Sequence, residues 1–204
     1  MTIRLGVLAS GSGTNLQAII DACESGAIAA EVVVVISNHE AARALDRARK
    51  HDIAAVFIDR GSFTSPREYN AAIRDELRAP GVDWVVMAGY MRLLGREVLD
   101  FFPDHVLNLH PALLPSFPGA TAISDAFDFG VKVTGVTVHL ANENFDDGPI
   151  IAQEAVAIVE NDTLVALEAR VHEAEHRIYP AVIGLIAEDR VVVEGRKVRI
   201  LPPA

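Results

Sequence analysis

Short apolar runs alternate with segments of helical spacing through the first half of the chain. Ile3 to Ala9 is an apolar run closed by Ser10-Gly11-Ser12-Gly13, and Thr14 to Cys23 then sets Leu16, Ile19 and Ile20 on one helix face. Val32 to Ile36 is a β-branched run between polar residues, as in a strand buried on both faces. Ala41 to Lys50 reads as a helix and Ala54 to Ile58 as a third strand. Ser65-Pro66 opens a helix to about Arg78, with proline in the first turn, where its missing N–H costs nothing. Pro80-Gly81 ends it. Asp83 to Ala88 is a fourth strand, followed by Gly89 to Leu94 and a short helix before Phe101-Phe102-Pro103, and Val106 to His110 is a fifth.

The second half has another rhythm. Val133 to Leu140 and Ile150 to Val159 are strands joined by a loop too short for a helical crossover, so they are expected to pair antiparallel. A long helix runs from about Thr163 toward Ile186 with Asp162 as its expected N-cap. Val191 to Val193 and Val198 to Ile200 flank Glu194-Gly195-Arg196 as a closing hairpin. The fold class expected is α/β: a Rossmann-like mixed sheet, parallel in the N-terminal half and antiparallel in the C-terminal strands, with helices on both faces. Sites in such sheets lie at the carboxyl ends of the strands.

Composition narrows the function classes. The 204 residues are expected to form one domain, and with 50% hydrophobic residues the chain is too apolar to be disordered. The net charge of -10 repels polyanions and argues against a general nucleic-acid binder. Cys23 is the one cysteine, so no internal disulfide can form, no metal site is expected, and a reducing cytoplasm fits. The chain starts as a strand rather than a targeting signal, and its apolar runs fall short of the ~20 residues of a bilayer helix.

Three segments carry candidate chemistry. Ser10 to Asn15 sits between the first strand and the first helix, where glycine-freed backbone N–H groups can hold an anion. A dinucleotide fingerprint fails here, since Leu16 stands where a small residue is needed and Ser37-Asn38-His39 follows the second strand instead of an acid; a P-loop lacks its lysine. A monophosphate site and a plain tight turn both remain. In Asn108-Leu109-His110-Pro111, residues two apart share a strand face, so the Asn108 amide and His110 imidazole project together at the strand's carboxyl end, suited either to an oxyanion and proton transfer or to satisfying buried backbone. Asn144 to Pro149 is turn chemistry. If the strand carrying His139 lies beside that of His110, a carboxylate of this loop falls at the same pocket edge, while His139 itself, among Val136, Val138 and Leu140, reads as structural.

Taken in order, Ser10 to Leu16, Met87 to Leu94, Asn108 to Gly119 and Asp147-Gly148-Pro149-Ile150 resemble the phosphoribosylglycinamide formyltransferase family of the folate-dependent formyltransferase superfamily. The likeness spans nearly the whole chain and implies formyl transfer from 10-formyltetrahydrofolate to the amine of glycinamide ribonucleotide in purine synthesis. It implies a single domain over residues 1–204, with about 1–105 as the nucleotide and phosphate half and about 106–204 as the catalytic and folate-completing half. Gly13, Thr14 and Asn15 would bind the phosphate and Glu175 the sugar hydroxyls. Asn108, His110 and Asp146 would be catalytic, with Asp147 left open as an alternative to Asp146. Arg67, Met91, Arg92, Leu93, Leu94 and Asn108 would contact the folate. The partners implied are small molecules, without metal, nucleic acid or membrane, in a cytoplasmic enzyme for which a homodimer is left open. The chain departs from the family pattern at Ser116, where some members carry lysine, and at Ala120 to Ser124, where many carry histidine and arginine at the start of a helix. Its length, and the glycine turn so close to residue 1, are expected to separate it from tRNA formyltransferases with an added basic domain and from folate hydrolases with a leading regulatory module.

Overall fold

The computed structural model describes residues 2–203. The chain runs β1 (Ile3–Leu8), α1 (Thr14–Glu24), β2 (Ala30–Ser37), α2 (Arg43–Lys50), β3 (Ala54–Phe57), a single helical turn at Arg60–Ser62, α3 (Pro66–Arg78), β4 (Trp84–Met87), α4 (Arg96–Leu99) and β5 (Val106–His110). It continues through α5 (Ala122–Phe129), β6 (Val133–Leu140), β7 (Ile150–Ala157), α6 (Leu164–Ala187), β8 (Val191–Glu194) and β9 (Lys197–Ile200). Seven strands form one sheet in the order β3-β2-β1-β4-β5-β6-β7. The first five are parallel and β6 and β7 are antiparallel, as the short connection between them demands. The hairpin β8–β9 stands as a separate ribbon.

Alternation within the strands builds two cores. Leu5 and Val7 of β1 and Leu107 and Leu109 of β5 face one apolar layer with Leu16, Ile19 and Ile20 of α1 and Val171, Ile178 and Ile183 of α6. Leu8 and Val106 face the other, with Ile73 and Leu77 of α3 and Val98 of α4. Asn108 and His110 alternate with Leu107 and Leu109 and so share the face of Val106. β1 turns to β2 on one side and to β4 on the other, which makes the carboxyl ends of β1 and β4 the topological switch point of the sheet.

Two local expectations change. The N-cap of α6 is Thr163, whose side chain accepts from the Ala166 N–H; it is the extended residue directly before the first helical one. Asp162 lies one position too early, and its carboxylate instead accepts from Val159 N and pairs with Arg170. The hydrophobic pattern alone also left α5 unassigned, although the family likeness implied a helix start there. Ala122, Ile123, Ala126 and Phe127 form its inner face, but the exposed Phe129 breaks the amphipathic stripe.

Candidate active site

A cavity of about 910 Å3 opens at the switch point. Ser10 to Asn15 line one part of it, Met91 to Leu94 another, and Asn108, His110, His139 and Asp146 also lie in its wall, with His172 and Glu175 from α6.

The glycine turn is built as an anion site. Gly13 caps α1 in the left-handed region at φ 69°, and a Cβ there would come within 2.8 Å of the Ala44 backbone, so glycine is required both by conformation and by the approach of α2. No side chain caps the helix, which leaves the N–H groups of its first turn for a ligand. The turn's carbonyls point elsewhere: Ala44 N donates to Gly11 O over 3.1 Å and Arg47 Nε to Ser12 O over 2.9 Å. Ser10 ties the turn to both neighbours, donating from its hydroxyl to Asn38 Oδ1 and accepting from Met91 N.

The hydrogen bonds at the end of β5 fix the tautomer of His139. His139 Nδ1 lies 2.9 Å from the Leu140 carbonyl, an obligate acceptor, so this nitrogen carries the proton and Nε2 accepts from Asn108 Nδ2 at 3.0 Å. Burial pushes the His139 ring below the usual histidine range, which agrees with a neutral ring in this tautomer. His110 Nε2 donates to the Phe117 carbonyl at 2.8 Å, and its Nδ1 lies 3.4 Å from Asp146 Oδ2. Only the doubly protonated ring can donate at both atoms. Asp146, whose side chain is 7% exposed, also accepts from Gly119 N at 2.9 Å and, at a long 3.4 Å, from Asn108 Nδ2. One carboxylate thus faces both donors of β5.

The loop between β6 and β7 delivers that carboxylate. Asp146 sits at φ 50°, and Gly148 passes so close to β6 that a Cβ on it would lie 1.6 Å from Leu140 O. Asp147 turns outward, where its carbonyl and carboxylate meet Arg196 of the β8–β9 ribbon. The two neighbouring aspartates therefore occupy distinct environments, Asp146 in the cavity and Asp147 at the surface.

The remaining expected residues divide. Gly13, Thr14, Asn15, Glu175, Met91, Arg92, Leu93 and Leu94 all line the cavity. Arg92 lies over the Tyr69 ring, 5.8 Å from its centroid, and the Tyr69 hydroxyl bonds that of Tyr90. Arg67 is not brought to the cavity wall; it is 87% exposed on the first turn of α3 and faces Glu97 at 3.5 Å. Three cavity histidines, His39, His139 and His172, escaped the sequence reading. His139 lies directly opposite Asn108 in the antiparallel pair, so their side chains share a face, a relation visible only once the register is known. His172 lies three residues before Glu175 on α6, a helical neighbour spacing that could have flagged it. Among the described residues, no group of three His, Cys, Asp or Glu side chains is placed to hold a metal ion.

Known proteins share this architecture. The family model described as formyl transferase matches residues 3–183. Phosphoribosylglycinamide formyltransferase of Bacillus subtilis is 39% identical over 88% of this chain and 92% of its own. The crystal structure of glycinamide ribonucleotide transformylase 1 from Symbiobacterium toebii superposes with a TM-score of 0.97 at 50% identity, covering 98% of this chain and 95% of that one. A formyltetrahydrofolate deformylase from Pseudomonas syringae superposes with a TM-score of 0.91 at 27% identity, over 99% of this chain and 67% of that one.

Proposed function

Because the chain belongs to the formyl transferase family, we propose a residue-by-residue account of how its cavity works. The reaction is transfer of the formyl group of 10-formyltetrahydrofolate to the amine of glycinamide ribonucleotide, a step of purine synthesis. The supporting observation is one cavity that joins an uncapped helix start, an apolar wall with one arginine, and the Asn108–His110–Asp146 group between them.

Gly13, Thr14 and Asn15 receive the phosphate, and Glu175 the sugar hydroxyls. Met91, Leu93 and Leu94 pack against the flat folate ring, with Arg92 toward its carboxylates. Arg67 reaches the donor only where its tail extends beyond the cavity. Attack of the amine on the formyl carbon develops an oxyanion, and Asn108 and His110 are the donors at hand. Both are engaged before the substrates arrive. The 3.4 Å contacts to Asp146 are the weakest of the set and the ones a developing oxyanion can replace, whereas donation from His110 Nε2 requires it to exchange the Phe117 carbonyl. Asp146 holds the His110 charge in place and orders a water that carries the amine proton to the departing nitrogen. No covalent enzyme intermediate enters this scheme.

No helix among the described residues is long and apolar enough to cross a membrane. The reading extends to a single cytoplasmic domain with small-molecule partners and no nucleic acid, its assembly as monomer or homodimer to be decided by light scattering. The deciding assay incubates the purified protein with both substrates and follows tetrahydrofolate. Release that requires the nucleotide supports the transferase; release without it points to the hydrolase chemistry named for the Pseudomonas relative.

A further inference from the structure

The β6–β7 loop that carries Asp146 is held on its inner side by contact alone. Gly148 passes too close to Leu140 O for any Cβ, and such a contact stops the loop moving inward but does not keep it from moving away. Retention needs attraction, and the loop has few sources of its own. Its base is closed by Leu140 N donating to Pro149 O over 2.9 Å, while Phe145 is exposed and anchors nothing. Asp146 accepts from Gly119 N and Asn108, yet the Asn108 contact is one that the developing oxyanion replaces. A hold independent of the reacting groups must come from outside the loop.

Two arginines reach the loop from other elements. Arg96 of α4 pairs with the Glu143 carboxylate at 2.7 Å, three residues before Asp146 and through a side chain only. Arg196 takes hold of the main chain: its Nη1 donates to Asp147 O over 2.7 Å, while Nη2 lies 3.1 Å from Asp147 Oδ1. That carbonyl belongs to the peptide joining Asp147 to Gly148, one residue beyond Asp146. The ribbon that presents Arg196 is well seated. Gly195 and Arg196 are the two residues of its hairpin turn, with Gly195 at φ 65° in the position that needs glycine. Val191, Val193 and Val198 pack against the core that α1 and α6 cover. At the root Leu201 N donates to Arg190 O, and Arg190 Nε donates to Leu201 O.

Resting on the reading of Asp146 as the carboxylate that supports His110, we propose that Arg196 is a positioning residue for the reaction. It ties the peptide after Asp146 to the β8–β9 ribbon and keeps the carboxylate beside the His110 ring while Asn108 turns to the oxyanion. Neither Arg196 nor Asp147 lines the cavity, so the effect travels through the main chain. Arg196 and Asp147 are 63% and 50% exposed, which makes the tether modest in strength. Its loss frees the loop to carry Asp146 away from His110 without disturbing the glycine turn or the sheet.

The test is steady-state formyl transfer by ribbon variants. Arg196→Ala lowers kcat about fivefold, the scale of one partly exposed charge-assisted contact, and leaves the KM for glycinamide ribonucleotide level. Arg196→Lys recovers part of the loss, because an ammonium still donates to the Asp147 carbonyl. Arg199→Ala, which breaks the pair with Glu194 on the same ribbon, leaves kcat unchanged. Hydrogen exchange followed by mass spectrometry reads the tether without turnover: peptides covering residues 141–149 exchange faster in Arg196→Ala and at the unaltered rate in Arg199→Ala, while those of α6 stay the same in both. Unchanged kcat or unchanged loop exchange in Arg196→Ala overturns the proposal, as does an equal loss in Arg199→Ala, a loss that Arg196→Lys does not recover, or one that falls on the nucleotide KM alone. Full turnover by Asp146→Asn would instead overturn the reading of Asp146, whatever the exchange of the loop.

Discussion

His139 stops accepting from Asn108 once it gains a second proton, because Nδ1 is committed to the Leu140 carbonyl and Nε2 then becomes a donor too. The Asn108 amide would lose its anchor without any change in Asn108 itself. His139→Leu is therefore expected to lower kcat roughly tenfold, the scale of one hydrogen bond, with His139→Gln recovering part of it; equal loss in both variants would show that packing alone matters. Asn108→Ala removes an oxyanion donor outright and is expected to cost about 10²- to 10³-fold in kcat. Adding His110→Ala is expected to cost far less than the product of the single losses, since both donors face Asp146; multiplicative losses in steady-state assays would separate their roles. Asn108 and His110 were legible in the sequence because residues two apart on a strand must share a face. His139 was not, because its partner is 31 positions away and set by pairing register.

At the level of elements, the loop from β6 to β7 holds the carboxylate through close backbone contact rather than through a hydrophobic anchor. Phe145 is 62% exposed, and the constraint falls on Gly148 against Leu140. Gly148→Ala must push the loop outward until the new Cβ, otherwise 1.6 Å from Leu140 O, clears that carbonyl, and must carry Asp146 with it. The expected outcome is at least a tenfold loss of kcat with near-unchanged far-ultraviolet circular dichroism; full activity would mean the loop has slack elsewhere. The buried strands were readable as β-branched runs bounded by polar turns, and α3 as Ser65-Pro66 followed by an amphipathic pattern. α5 escaped because only two of its residues are fully buried and its last aromatic points to solvent. The placement of Arg67 was equally unreadable: a helix N-terminus fixes where a residue starts, not whether its long side chain turns toward a cavity or toward Glu97 of the next helix.

Across the whole molecule, buried histidines give stability a pH dependence of known sign. His139 and His176 have folded-state pKa values lowered chiefly by burial, so between those values and the unfolded value near 6.5 the unfolded chain binds more protons. Stability is then expected to fall as pH drops below about 6.5, while His172, raised by Glu175, contributes stability that fades at higher pH. Urea midpoints from pH 5 to 8 should decline on the acid side, and His139→Gln should decline less steeply; identical slopes would remove His139 from the account. The order of the sheet carries a further consequence for synthesis. β1 is flanked by β2 and β4, so residues 3–8 emerge early yet meet their second neighbour only when residues 84–87 have left the ribosome. For that interval one edge of this interior strand has no partner, inviting association between nascent chains. Slower translation past residue 50 should therefore lower the soluble yield of this protein more than an equal delay after residue 110.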